Sequence, residues 1–283
     1  MQPAALKRAS AFVDELFGGD VTPWIYVWLR VALAGIVLIR HSDWLSPWLE
    51  LEHHRWVHGL DLGWSATKEP PLSSPLALGV ALNEGATTAL VWTRTLLALL
   101  LLFGVFPRLA ALLLGLVSYT LMASDRFHYY HHLHLLYLAV LWLSLAPLGW
   151  RPSNQSRPLW PLQLLRAFVV GVYFASGVAK LQGEWLSGAV LEDLHRFTLV
   201  SGSLFERLSH ALGYGSIAKL VVATELGLAL LLCLPRTRRV AVIVGLGFHA
   251  AIEASMDVST FGAQMAVLLI AFWPGTVESS VLK

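Results

Sequence analysis

A single cysteine, Cys233, stands in the whole chain. That excludes an intramolecular disulfide and any zinc or iron–sulfur site built on thiolates. The residue sits in the apolar run LALLLCLPR, where a packed core thiol is expected. Charge is scarce as well: Asp, Glu, Lys and Arg make up 13% of the residues, against roughly 25% in an ordinary soluble domain. The net charge of +2 offers no basic face for nucleic acid. The N-terminus shows no signal-peptide pattern, and no repeat or low-complexity tract follows it. What is there instead is apolar: 56% of the residues are hydrophobic, with twelve tryptophans among them. Such a chain reads as a polytopic membrane protein.

Apolar runs long enough to cross a bilayer core of ~30 Å recur along the sequence. They fall near 23–40, 86–106, 108–124, 131–148, 162–181, 214–234, 239–256 and 262–278. The expected fold is therefore an all-α integral membrane protein, a bundle of about eight transmembrane helices. Residues 1–22 form a cytoplasmic segment in which ALKRASAFVDELF is expected to lie on the membrane as an amphipathic helix. Residues 23–278 form one transmembrane domain, and 279–283 a short tail. With the N-terminus inside, the cytoplasmic connections collect Lys7, Arg8, Arg108, Arg151, Arg157, Arg236, Arg238 and Arg239. The long loops 41–85 and 182–213 then face outward, which satisfies the Lys/Arg asymmetry of short loops.

Ionisable groups inside spans are costly, so each marks a function or a buried structural pair. The candidates are Arg30, Arg94, Lys180, Glu225, His249 and Glu253, together with histidines at the start of the fourth span. The alternating spans bring Arg94, Lys180, His249, Glu253 and those histidines to roughly one depth near the outer face. A cavity opening outward would explain that agreement. Each residue also has a plainer reading. Lys180 could snorkel to the interface, Arg94 could pair with Glu225, and His249 could bond Glu253 four residues on. Arg30 fits a stabilising contact with a carbonyl or carboxylate better than chemistry.

The fourth span opens on RFHYYHHLH, residues 126–134, which holds His128, His131, His132 and His134. On a helix the first three fall within about 100° of arc. HYYHH also resembles the H-x-x-H-H box of membrane di-iron hydroxylases, and HHRWVH at 53–58 could add ligands, since imidazole suits iron. A further box is needed and none appears, for His195, His210 and His249 are isolated. Histidines satisfied at a wet helix end are the bland alternative.

The segment YFASGVAKLQGEWLSG, residues 173–188, resembles the YF-x-(A/S)-G-x-x-K-x-x-x-x-W-x-x-G signature of the vitamin K-dependent γ-carboxylase superfamily. The bacterial branch of that superfamily carries the same membrane part, the HTTM domain. The stretches HHLHLLYLAVLWLSL, ATELGLALLLCLPRTRR and GFHAAIEASMDVSTFGAQMAVLLIAFW follow the family's order, so the likeness runs from about Arg30 to Trp273. The resemblance implies an enzyme acting on a reduced quinone, a vitamin K hydroquinone or menaquinol, with O2 and, for carboxylation, CO2 as co-substrates and no metal. It implies Lys180 as the base and His132 as its catalytic partner, with His131 the nearest competitor for that role. The family has two adjacent lysines where this chain has Ala179-Lys180. A lysine acts as a base only when neutral, and desolvation at a helix end favours that form. A neutral imidazole can hold a developing oxyanion. His131, His128, Arg94, Tyr173, Trp185, His249, Glu253 and Glu225 are the expected quinone-binding residues, with Tyr173 and Trp185 as flat walls or interfacial anchors.

The carboxylase carries a large extramembrane domain after its spans, which grips its protein substrate. This sequence stops at ESSVLK, soon after Trp273, so only loops 41–85 and 182–213 are expected to meet a protein or peptide substrate. The expected partners are the bilayer and the quinone, with no nucleic acid, and the expected location is a bacterial inner membrane. Two other classes stay open: a transporter or partner protein using an intramembrane charge network, and the di-iron hydroxylase.

Overall fold

The computed structural model describes residues 18–42, 84–124, 131–149, 157–196, 203–256 and 260–273. The expected amphipathic segment before residue 18, nearly all of loop 41–85, His128 and the tail beyond 273 lie outside those residues. The described chain is mostly helical, and it divides into two compact units, Asp20–Pro161 and a second that includes Leu162–Lys283.

The first unit opens on β1 (Asp20–Val21), which pairs antiparallel with β2 (Arg157–Pro158). This is a two-residue clasp in an otherwise helical fold, and the Tyr26 hydroxyl fastens it by donating to the Pro158 carbonyl at 2.6 Å. Between the strands run α1 (Pro23–Ser42), α2 (Glu84–Phe103), α3 (Pro107–Ser124) and α4 (His131–Leu143). The α2–α3 corner follows from local chemistry. Gly104 takes a positive φ to leave α2, and Pro107 opens α3, where its missing N–H costs nothing. The fourth apolar run was expected to reach residue 148, but α4 stops at Leu143. Ser144 turns its hydroxyl onto the Leu141 carbonyl at 2.7 Å, three tight turns follow, and Pro147 cannot extend the helix.

The second unit contains α5 (Trp160–Ala179), α6 (Gly183–Ser187), α7 (Ala189–Arg196), α8 (Ser203–Leu212), α9 (Tyr214–Cys233), α10 (Arg238–Glu253) and α11 (Phe261–Ile270). Loop 182–213 thus carries three short helices, too short and too polar to register as apolar runs. They pack on the first half of α9 through Leu191, Phe205, Ile217 and Ala218, with Trp185 and Tyr214 at the edge. The isolated His195 is part of this packing: its Nδ1 lies 2.6 Å from the Tyr214 hydroxyl and its ring stands edge-on to Phe205.

Among the described residues three helices are long and apolar enough to cross a membrane: Gly85–Phe103, Trp160–Ala179 and Tyr214–Cys233. Only 33% of each of these stretches is buried, so most of their apolar surface faces outward, as lipid contact requires. The same fact corrects the reading of Cys233. It is exposed at the last turn of α9, because an apolar run does not distinguish a lipid-facing side from a packed one.

In an apolar medium every helix end must find partners for its last carbonyls. Here arginines supply them. In the first unit Arg30 donates from Nη1 to the carbonyls of Leu101 and Leu102, the latter at 2.6 Å, and Arg108 reaches Ala146 at 2.8 Å. In the second, Arg166 grips the Ala271 carbonyl from Nε and Nη2 at 2.9 and 2.6 Å, and Arg238 reaches Leu232 at 3.1 Å. The sequence reading of Arg30 as a carbonyl partner matches this geometry. Arg166→Met, which keeps the stem and removes the donors, is expected to destabilise the protein by about 1–3 kcal/mol. Thermal unfolding in detergent should show the loss, and Arg166→Lys should recover part of it.

Candidate functional site

Three residues of α5, Tyr173, Ser176 and Gly177, share one face by their spacing with Lys180, which follows the helix and still bonds its N–H to the Ser176 carbonyl. Opposite them stands α9. At the crossing, a Cβ on residue 177 would lie 2.7 Å from Leu226 Cδ2 and 3.3 Å from Leu226 N. Glycine alone lets the two backbones approach this closely, the usual device of helices packing in a membrane. The close approach presents Glu225, the neighbour of Leu226, to Ser176 and Lys180.

Lys180 Nζ lies 2.8 Å from both carboxylate oxygens of Glu225. Ser176 completes the cluster. Its hydroxyl donates to Glu225 Oε1 at 3.0 Å and also accepts a short hydrogen bond from Lys180 Nζ. The lysine and glutamate side chains are only 22% and 10% exposed. The other ion pairs among the described residues, Arg196 with Glu192 and Asp193, lie in solvent-exposed α7 and count for little. The Lys180–Glu225 pair is therefore the one in which charges are withdrawn from solvent and must compensate each other.

The segment after α5 folds back over this pair. Trp185, on α6, places its ring 5.4 Å from Lys180 Nζ, a cation–π distance. Its indole Nε1 is buried and has no hydrogen-bond partner among the described residues. Gly188 ends α6 with φ near +88° and donates its N–H to the Trp185 carbonyl at 2.9 Å. A Cβ at 188 would overlap the backbone of Tyr214 and Gly215, so glycine is required there twice over. Ser176, Gly177, Trp185 and Gly188 of the 173–188 segment thus each have a task around Lys180 or in the turn that covers it.

Two turns before Lys180, about 10 Å along the helix, the Tyr173 hydroxyl meets His249 Nε2 at 2.7 Å. Tyr173 and His249 are both 3% exposed, so Tyr173 is no interfacial anchor. The His249 ring is enclosed by Phe248, Phe261 and Tyr173 at centroid distances of 5.3, 5.1 and 5.8 Å. Its Nδ1 is buried without a partner. Glu253 does not bond His249. Its Oε2 accepts the Gly262 N–H at 3.1 Å, which ties the start of α11 to the end of α10.

The second unit therefore brings together Lys180, Glu225, Tyr173, Trp185 and His249 of the expected residues, and turns Glu253 to a structural task. Arg94, His131 and His132 belong to the first unit. Arg94 is buried in α2, and His131 and His132 open α4, where neighbouring His134 stands edge-on to Tyr119 at 5.5 Å. Glu225 takes Lys180 as its cation rather than Arg94. Among the described residues no three His, Cys, Asp or Glu side chains gather as a metal site would need. The sequence reading missed Ser176, Gly177 and Gln264. The first two were visible only as signature letters, and Gln264 as the one amide in the run FGAQMAVLLI.

Cutting one partner of the ion pair leaves a buried charge. Glu225→Leu is thus expected to cost roughly 3–5 kcal/mol, and the double variant Lys180→Met/Glu225→Leu much less. A double-mutant cycle on thermal stability in one detergent checks this.

No solved structure matches the chain. The sequence matches the HTTM domain over residues 34–275, the stretch that carries every helix of the site just described. The chain belongs to the HTTM domain family, the membrane part of vitamin K-dependent carboxylase-like proteins.

Proposed function

We propose that the second unit is the proton-transfer centre of a quinol-dependent membrane enzyme. The observation that carries this reading is the Lys180 cluster: an amine and a carboxylate withdrawn from solvent, bridged by a hydroxyl and roofed by an indole with a free N–H. A phenol and an alkyl amine both titrate at about 10, so a proton passes between them with little free-energy cost. In its neutral form Lys180 Nζ accepts the proton of a phenolic hydroxyl held beside it, and the Glu225 carboxylate stabilises the ammonium that forms. Ser176 holds both groups in line. Trp185 gives a flat wall and offers its Nε1–H to an oxygen that gains negative charge. When bound, the reduced quinone supplies the electrons that reduce O2. Coupling to carboxylation or to another base-driven step follows the resemblance, as does the role of His132.

In this reading the chain crosses a bacterial inner membrane about eight times. Within the second unit the arginine caps support an orientation. Arg238 opens α10 and Arg166 lies in the first half of α5, while Lys180 follows α5 at its opposite end. If the arginine-rich end is cytoplasmic, the Lys180 cluster lies toward the outer half.

A second reading draws on the same cluster. Lys180 and Glu225 satisfy each other, as a purely structural pair or the charge network of a transporter would. Activity separates the two. Purified protein in nanodiscs, supplied with a reduced naphthoquinone and O2, is expected to consume oxygen. Lys180→Ala and Lys180→Arg should each lower that rate by roughly 100-fold or more, the scale of a lost general base, and Glu225→Gln should lower it too. Full quinol-dependent uptake in both lysine variants would remove Lys180 as the base and leave the structural reading.

A further inference from the structure

The Lys180 cluster leaves a second buried polar junction unused. His249 Nδ1 and Gln264 Oε1 are both buried, and among the described residues both lack a hydrogen-bond partner. Gln264 is 0% exposed, and an unmatched amide oxygen in so dry a place is costly. The α10–α11 hairpin brings the two residues to one level. Glu253 is tied to Gly262, and eight residues back along α10 Gly245 abuts Leu269, so His249 faces the stretch about Gln264 to Ala266. Phe261 touches the His249 ring, and Gln264 lies one turn further along the same face of α11.

The two free atoms are chemically complementary. The Gln264 amide gives its Nε2–H to Thr260 Oγ1 at 3.2 Å, which leaves Oε1 as an acceptor. A neutral imidazole that receives the Tyr173 hydroxyl proton at Nε2 carries its own hydrogen on Nδ1 and is a donor there. A donor and an acceptor at one level of the hairpin match a neutral hydroxyl, which accepts from one and donates to the other. A carbonyl oxygen can only accept, so it would leave Gln264 Oε1 unmatched.

We propose that His249 and Gln264 form a hydroxyl-binding junction that distinguishes a reduced quinone from its oxidised form. A ring hydroxyl makes both hydrogen bonds, whereas a quinone carbonyl forfeits one. Tyr173 is the positioning residue: in the tautomer proposed here its hydroxyl donates to Nε2 and the ring proton sits on Nδ1. The inference rests on the quinol reading of the Lys180 cluster and adds a residue pair that sets selectivity for the reduced substrate.

The test is anaerobic equilibrium binding of 1,4-dihydroxynaphthalene and of 1,4-naphthoquinone to the full chain in nanodiscs. The wild type should bind the diol more tightly than the quinone. Gln264→Leu and the longer, unbranched Gln264→Met should each weaken the diol by about tenfold, the worth of one hydrogen bond, and leave the quinone unchanged. Lys180→Ala should weaken the diol while Gln264 still exerts its effect. If the Gln264 variants leave diol affinity intact, or weaken both probes equally, the junction does not select the reduced form, although the Lys180 reading survives. If the Gln264 effect holds but Lys180→Ala changes nothing, the Lys180 reading fails instead. Binding of neither probe by the wild type overturns both.

Discussion

Everything distinctive about the second unit depends on one contact, the buried ion pair of Lys180 with Glu225 at the crossing of α5 and α9. Taking an ammonium and a carboxylate out of water costs several kcal/mol for each ion. The fold recovers that cost only through close, multiple contacts, and the local sequence supplies them. Gly177 lets the helices touch, Ser176 bridges the two charges, and Trp185 lays its ring over the cation. Gly188 then takes the one backbone conformation that returns the chain against α9. Replacing the pair with apolar side chains would simplify packing. Its presence beside an indole N–H that lacks a partner among the described residues is what the proposed proton transfer draws on.

A second constraint shapes both units: backbone carbonyls at helix ends must be satisfied where water is scarce. Arg30, Arg108, Arg166 and Arg238 meet it by capping helices other than their own or the helix just before them. These arginines share a residue class with Lys180 but not a task. Each donates to carbonyl oxygens, and none of those bonds engages a carboxylate. Among the charges whose contacts are described, the arginines hold the scaffold and Lys180 and Glu225 hold each other.

Much of this could be read from the sequence. The described apolar helices begin within three residues of the positions that hydropathy, proline and glycine indicate, because those signals are local. Lys180, Glu225 and His249 stood out because ionisable groups in apolar runs are rare, and Tyr173 because it opens the 173–188 signature. Their partnerships were not legible. Lys180 meets Glu225 across 45 residues and Tyr173 meets His249 across 76, and no periodicity encodes such distances. His249 and Glu253 have ideal spacing for a mutual bond, yet each goes elsewhere, since Phe261 and Gly262 arrive from α11 with better partners. Gln264 escaped notice because an uncharged amide barely disturbs hydropathy. The helices of loop 182–213 escaped because their apolar faces span only two or three turns.

The central claim is that the Lys180 cluster binds a reduced quinone. Mass spectrometry of the lipid-soluble molecules retained after mild purification tests it most directly. The wild type should carry a quinone in near-stoichiometric amount, and Lys180→Ala, purified in parallel, should carry far less. A wild-type protein that retains no quinone, or a lysine variant that retains it equally well, would contradict the account.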